Sequence, residues 1–415
     1  MIATPVTTFD PFAPAYLRDP YPYVAALREE SPVAYAPEID MWVVSRYADV
    51  DAVFRDPATF SASIAQAPLV PLSEDARAIL AEGFRPAQVM SNLDPPEHGR
   101  IRAHTSRAFS ARRIALLEPT IRARTAALVD AFAKRGEAEL IRELTFPLPA
   151  TTIFTMIGFP DHDTELLKSY CEERLIITWG RPSVDDQCRV ARQMVDYWRY
   201  CEVFVAERVR EPADDFTSDL LATAREDGTL SEREIASIIY GLSFAGHETT
   251  TNLIANTLRR VLEQREAWEA VVADRAAIPN TVEEALRFDS SVISWRRVAT
   301  RATAVGGVDV PAGAKLLLLL CAANRDPARF PDPDRFDIGR SGARAHLAFG
   351  IGIHYCLGAA LARMQVAIVL ETLAARLPTL RLVSDQELTF SPNISFRGPR
   401  TLRARWDQLP EKSST

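Results

Sequence analysis

The sequence predicts a mainly helical protein with small β-sheets, organised around one long helix. Apolar residues recur at helical spacing through most of the chain from about Glu118 onward. Short extended runs bounded by turn residues cluster near the N-terminus, around residues 295 to 323, and near the C-terminus. The amphipathic stretch from about Ser231 to Gln264 would span roughly 50 Å at the rise of an α-helix, enough to cross a core.

Taken in chain order, Ser31 to Tyr47 reads as two apolar strands around a turn. Residues 65 to 92 are irregular enough to form a long loop, of the kind that covers a site. The long helix opens with a capping box, Ser231 and Glu234 three residues apart. Its apolar positions Ile235, Ile238, Ile239, Leu242, Ala245 and Leu253 form one buried stripe. Within it, Ala245-Gly246-His247-Glu248-Thr249-Thr250-Thr251 combines a glycine with three β-branched residues whose hydroxyls can bond back to the preceding turn. A distortion is expected there. The longest purely apolar run, Leu316 to Ala323, is too short to span a bilayer and reads as a buried strand.

The chain has 415 residues, 47% of them hydrophobic, so it can bury a large core. No linker, low-complexity segment or internal period divides it, and residues 1–415 are expected to form one domain. A net charge of -7 argues against a general nucleic-acid binder, because phosphate contacts need a basic surface. The first residues lack the pattern of a signal peptide, and no membrane anchor is expected. Five cysteines without a C-x-x-C pair suggest neither a disulfide framework nor a structural zinc site, which favours the cytoplasm.

One cysteine stands apart. In His346 to Arg363, HLAFGIGIHYCLGAALAR, Gly350, Gly352 and Gly358 flank Cys356, and an alanine-rich helix follows at once. A helix N-terminus stabilises a thiolate, the form that binds metal, so a lowered thiol pKa is expected. The glycines allow the backbone to approach something flat and large. Phe349, Gly352, Cys356 and Gly358 fit the pattern F-x-x-G-x-x-x-C-x-G.

On that pattern the chain resembles the cytochrome P450 family, and the resemblance runs from the first strands to Trp406. It implies the fold of that family, with the long helix over a haem b whose iron is bound by Cys356, and a cofactor contact from Phe349. Glu284 and Arg287 match the family's E-x-x-R pair, and Arg340 matches its basic partner, a structural network beneath the haem. Haem propionates call for cationic donors, and the residues at the matching positions are His98, Arg102, Arg297 and His354. Glu248 and Thr249 match the acid-alcohol pair in A-G-x-[D/E]-T, which implies a route for protons to bound oxygen. The implied reaction is insertion of one atom of O2 into a small, mostly apolar substrate, aromatic or aliphatic. Its contacts are expected from the 60 to 92 loop, from residues near Leu175 to Trp179, and from Leu242, Ala245, Val292, Trp295 and Ile394.

The implied electron donor is a ferredoxin or reductase. Thr178 to Pro182 and Ser395 to Arg400 are similar to the haem domains of self-sufficient enzymes fused to a reductase, whereas this chain ends soon after Trp406. A separate donor and a removed fused domain both remain open. Arg107, Arg112, Arg113, Arg344 and Arg363 could form a basic docking patch on the cysteine side. Two other classes of function compete: a haem sensor or electron carrier, which needs no acid-alcohol pair, and a cysteine hydrolase with Cys356 as nucleophile.

Overall fold

The computed structural model describes residues 9–171 and 174–407. Residues 1–8, on which part of the reading of the N-terminus rests, lie outside the described residues. Helices dominate, and small sheets lie where the extended runs were expected, except that Glu137–Glu139, in the stretch read as helical, also forms a strand. Helices also appear before Glu118, at Tyr21–Glu30, Tyr47–Arg55 and Glu97–Ala108, earlier than the periodicity suggested. Short helices sample too few turns to register as a period.

The organising element is the helix Glu232–Glu263. The predicted capping box is present: Glu234 donates its backbone N–H to Ser231 Oγ at 3.2 Å, and Ser231 N–H donates to Glu234 Oε2 at 2.8 Å. Around this helix pack Pro147–Ile157, Val184–Arg210, Ile278–Phe288 and Ala359–Arg376. Ile235, Ile239 and Leu253 are fully buried and Ile238 nearly so, as the stripe requires.

The expected distortion at mid-helix is absent, since residues 232–263 form one unbroken α-helix. Thr249 Oγ1 does bond back to Ala245 O, at 2.7 Å, but without opening the ladder. Gly246 answers a packing demand instead. A Cβ there would lie 2.8 Å from Ile153 Cδ1, inside contact distance, so the missing side chain lets helix Pro147–Ile157 approach closely. His247, fully buried, packs its ring 4.5 Å from that of Phe146 on the same side.

Among the described residues the main sheet has five strands, in the order Val33–Ala36, Met41–Val44, Lys315–Leu319, Ser294–Ala299, Phe60–Ser61. Its one parallel pairing sets Trp42 to Val44 against Leu316 to Leu318. The run Leu316 to Ala323 is therefore strand only to Leu319. Pairing stops at Ser294↔Leu319, and Leu320–Ala323 coils into one helical turn. The stretch 65 to 92 is not all loop either. Ser73 caps the helix Glu74–Ala81, accepting from Ala76 N–H at 3.1 Å, with Glu74 and Asp75 in the first turn. That start signal was present in the sequence. Among the described residues no helix is long and apolar enough to cross a membrane.

Candidate active site

A cavity lies between the middle of the long helix and the cysteine loop, and Cys356 is the one of the five cysteines that lines it. The loop's path depends on glycine. Gly350 and Gly352 have φ of 66° and 74°, and a Cβ on Gly352 would come within 3.0 Å of Phe54 O. Cys356 N–H donates to Phe349 O at 2.9 Å, closing the loop just before helix Ala359–Arg376. The thiol pKa is raised, not lowered as expected. Burial outweighs the Gly358 and Ala359 amides and the charges of Arg102 and Arg363, all of which pull it down.

Both ends of this loop are held by one buried carboxylate, which the sequence reading missed. Glu283 accepts from His346 Nε2 at 3.1 Å, and from Arg363 Nε and Nη2 at 2.6 and 3.0 Å. Arg363 also stacks over Phe349, 4.6 Å from the ring centroid. One residue on, the expected structural network is assembled. Arg287 makes a bidentate pair with Glu284, at 2.7 and 2.8 Å, and Arg340 Nε donates to the same carboxylate at 3.1 Å. Glu284 and Arg287 are wholly buried.

Four basic groups gather beside the loop. Arg102, Arg297 and His354 line the cavity, and the His98 ring lies 4.3 Å from that of His354. Arg102 Nη2 donates to Tyr355 O at 2.7 Å, and Arg297 Nη1 to Arg296 O at 2.8 Å. Arg297 Nη2, His98 Nε2 and His354 Nε2 are buried without a hydrogen-bond partner. Burial, then the neighbouring Arg297 and His98, pushes His354 down to about 3, so its ring is neutral at pH 7. Burial lowers Arg297 to about 10, which leaves it charged. A buried guanidinium and two buried imidazoles without partners are costly unless an anion completes them. A dicarboxylate cofactor fits that need.

The opposite wall comes from the long helix: Ile238, Leu242, Phe244, Ala245, Gly246, Thr249 and Thr250. Leu242 and Ala245 are open to the cavity, so they leave the buried stripe on which they were placed. Glu248 does not line the cavity; its carboxylate accepts from Asn252 Nδ2 at 3.3 Å. Val292 and Trp295 line the cavity as expected, whereas Ile394 does not. Asn393 Oδ1 accepts from the N–H groups of Ser395 and Phe396 and folds the segment into a turn; Ile394, whose N–H donates to Trp179 O, is buried, and Phe396 lines the cavity. Trp179, Phe244, Trp295 and Phe396 make an aromatic cluster, with Trp179 4.7 Å from Phe396 and 6.2 Å from Phe244. Arg174, also on the wall, was unforeseen.

The basic docking patch is weaker than expected. Arg113 pairs with Asp214 and Asp219, at 3.2 and 2.6 Å, and Arg344 and Arg363 both face Glu283.

A family model described as cytochrome P450 matches residues 192–378. Cytochrome P450 107B1 of Saccharopolyspora erythraea is 35% identical over 400 residues, which cover 95% of this chain and 96% of that protein. The cytochrome P450 monooxygenase PikC of Streptomyces venezuelae is 36% identical over 410 residues, covering 97% and 94%. Among solved structures, cytochrome P450 CREJ in complex with (4-ethylphenyl) dihydrogen phosphate superposes with a TM-score of 0.93 at 39% identity, covering 96% of this chain and 99% of that one. An intact type IV self-sufficient cytochrome P450 monooxygenase gives 0.94 at 39% identity, covering 98% of this chain but 54% of that one.

Proposed function

This chain belongs to the cytochrome P450 family, and from that membership we propose how its own residues divide the work of a haem monooxygenase acting on small organic molecules. When bound, haem supplies the thiolate-ligated iron at which O2 is activated and one oxygen atom is passed to the substrate. The assignment rests on one observation: Cys356 lines the same cavity as Arg297 and His354, each with a buried nitrogen that has no acceptor, facing a long helix that carries an alcohol.

Cys356 provides the sulfur ligand. Arg102, Arg297, His98 and His354 bind the carboxylates of the cofactor, the two arginines as charges and the two imidazoles as neutral donors. Phe349, held by Arg363, would supply an apolar contact to the cofactor. Thr249 places its hydroxyl at the cavity surface, anchored through Ala245 O. With Glu248 one residue before it on the helix, it forms the inner end of a proton route. Leu242, Ala245, Val292 and Trp295 contact the substrate body, and the aromatic cluster suits an apolar one. Electrons come from a ferredoxin or reductase, on a separate chain or once fused, and the protein works in the cytoplasm.

The test is the absorption spectrum of the reduced protein under carbon monoxide, beside Cys356→Ser. A strongly red-shifted carbonyl band in the wild type, lost in the variant, is the expected result. A protein that does not take up haem overturns the reading.

A further inference from the structure

The cavity wall carries three arginines, Arg102, Arg174 and Arg297, and among the described residues no aspartate or glutamate. Two of the three stand beside the cysteine loop, where Arg102 reaches Tyr355 O and Arg297 neighbours His354. A haem with two propionates balances those two charges. Arg174 is left over, and it is held elsewhere.

Arg174 opens the helix Arg174–Trp179 and stacks on the long helix, its guanidinium carbon 4.4 Å from the centroid of Tyr240 and 4.9 Å from that of Phe244. Tyr240 and Phe244 precede Thr249 by nine and five residues. At the helical rise, Arg174 therefore sits about 8 to 14 Å along the axis from the alcohol. The two rings hold the planar guanidinium in one orientation. Its Nη1 is buried and has no hydrogen-bond partner. With no acid on the cavity wall among the described residues, the guanidinium charge is left for an incoming anion to meet. Between it and Thr249 the wall is apolar, formed by Leu242, Phe244, Ala245 and Trp179.

We infer that Arg174 is a specificity-determining residue that receives an acidic group of the substrate. The substrate class is then a small organic anion, a carboxylate or a phosphate or sulfate monoester, on an apolar body. The acid lies on Arg174, and the body runs along the long helix so that carbon distant from the acid reaches the Thr249 end. The inference rests on the monooxygenase reading of the same cavity, and oxidation is directed to the end of the molecule away from its charge.

The test uses purified haem-loaded protein and three matched pairs: 4-ethylbenzoate with 4-ethylbenzamide, 4-ethylphenyl phosphate with 4-ethylphenol, and dodecanoate with dodecanamide. Binding is followed by calorimetry and by the substrate-induced absorption change. In at least one pair the acid is expected to bind tenfold or more tighter than its neutral partner. Arg174→Gln should abolish that preference while leaving the affinity for the neutral partner within twofold, and Arg174→Lys should restore part of it. Absence of an acid preference in all three pairs, or its survival in Arg174→Gln, overturns the inference. A normal carbonyl band in the same preparations shows that the monooxygenase reading stands when the inference falls; loss of that band in the wild type brings down the reading itself.

Discussion

Replacing Glu283 by glutamine removes the charge that ties both ends of the cysteine loop to helix Ile278–Phe288. Ala348 N–H donates to His346 Nδ1 at 3.2 Å, so in the neutral imidazole the proton sits on Nε2, which donates to Glu283. Burial holds His346 below its usual range despite that carboxylate. Burial raises the Glu283 pKa, but the bonds from His346 and Arg363 and the charge of Arg363 outweigh it and hold it at about 2 instead of 4.5. At about 1.36 kcal/mol per pH unit, that gap stabilises the folded state by about 3 kcal/mol. Because the folded value lies below the unfolded one, this stabilisation is fully present above pH 4.5 and is lost as the pH falls through 2. About 1.4 kcal/mol has gone by about pH 3.5. Glu283→Gln should therefore cost about 2 to 3 kcal/mol at neutral pH, since the amide keeps one acceptor but loses the charge. The assay is urea unfolding of the haem-loaded protein, followed by the carbonyl band, at neutral pH and at about pH 3.5. Other carboxylates titrate in both proteins, so the difference between them isolates Glu283. The deficit should shrink by about 1.4 kcal/mol at the lower pH. A deficit that is the same at both values refutes the assignment of the loop anchor to the ionised Glu283.

Three further outcomes are expected. Arg287→Met leaves Glu284 buried with Arg340 as its only charged partner among the described residues, which should cost about 3 to 5 kcal/mol in chemical unfolding; pairing it with Glu284→Leu should recover much of the loss. Gly246→Val forces a side chain against Ile153 and should destabilise by about 1 to 3 kcal/mol, with Ile153→Ala relieving part of it if the close helix approach is the cause. Thr249→Ala should leave the carbonyl band intact but lower the product formed per O2 consumed several-fold, and Thr249→Ser should restore it; an unchanged ratio in the alanine variant removes the hydroxyl from the proton route.

The local features of this protein were legible in its sequence because their causes are local. Ser231 and Glu234 cap a helix through atoms three residues apart, and Gly350 and Gly352, ahead of Cys356, serve a turn whose dihedrals only glycine adopts freely. The spacing of Phe349, Gly352, Cys356 and Gly358 named the family for the same reason, since a ligand loop must be built within a few residues. Glu284, Arg287 and Arg340 followed from that resemblance, and they meet as expected.

What stayed hidden depends on segments distant in the chain. Gly246 looked like a helix breaker until Ile153, from another helix, was found against it. Ile394 and Phe396 differ in exposure to the cavity because the Asn393 side chain folds their backbone into a turn, and no periodicity predicts that. Arg363 read as a docking charge, yet a carboxylate 80 residues away claims it. The thiol of Cys356 was expected to be acidic from its helix terminus, an effect of neighbouring peptides, whereas the burial that raises it is a property of the whole cavity. The sequence by itself thus determined the helical class and the family, and singled out the one cysteine that lines the cavity, because those are written in spacing along one segment. Which side chains face the cavity, which charges are already paired, and which arginine is left waiting for an anion were decided only in the tertiary structure, because each is a balance of burial and partners that the fold brings together.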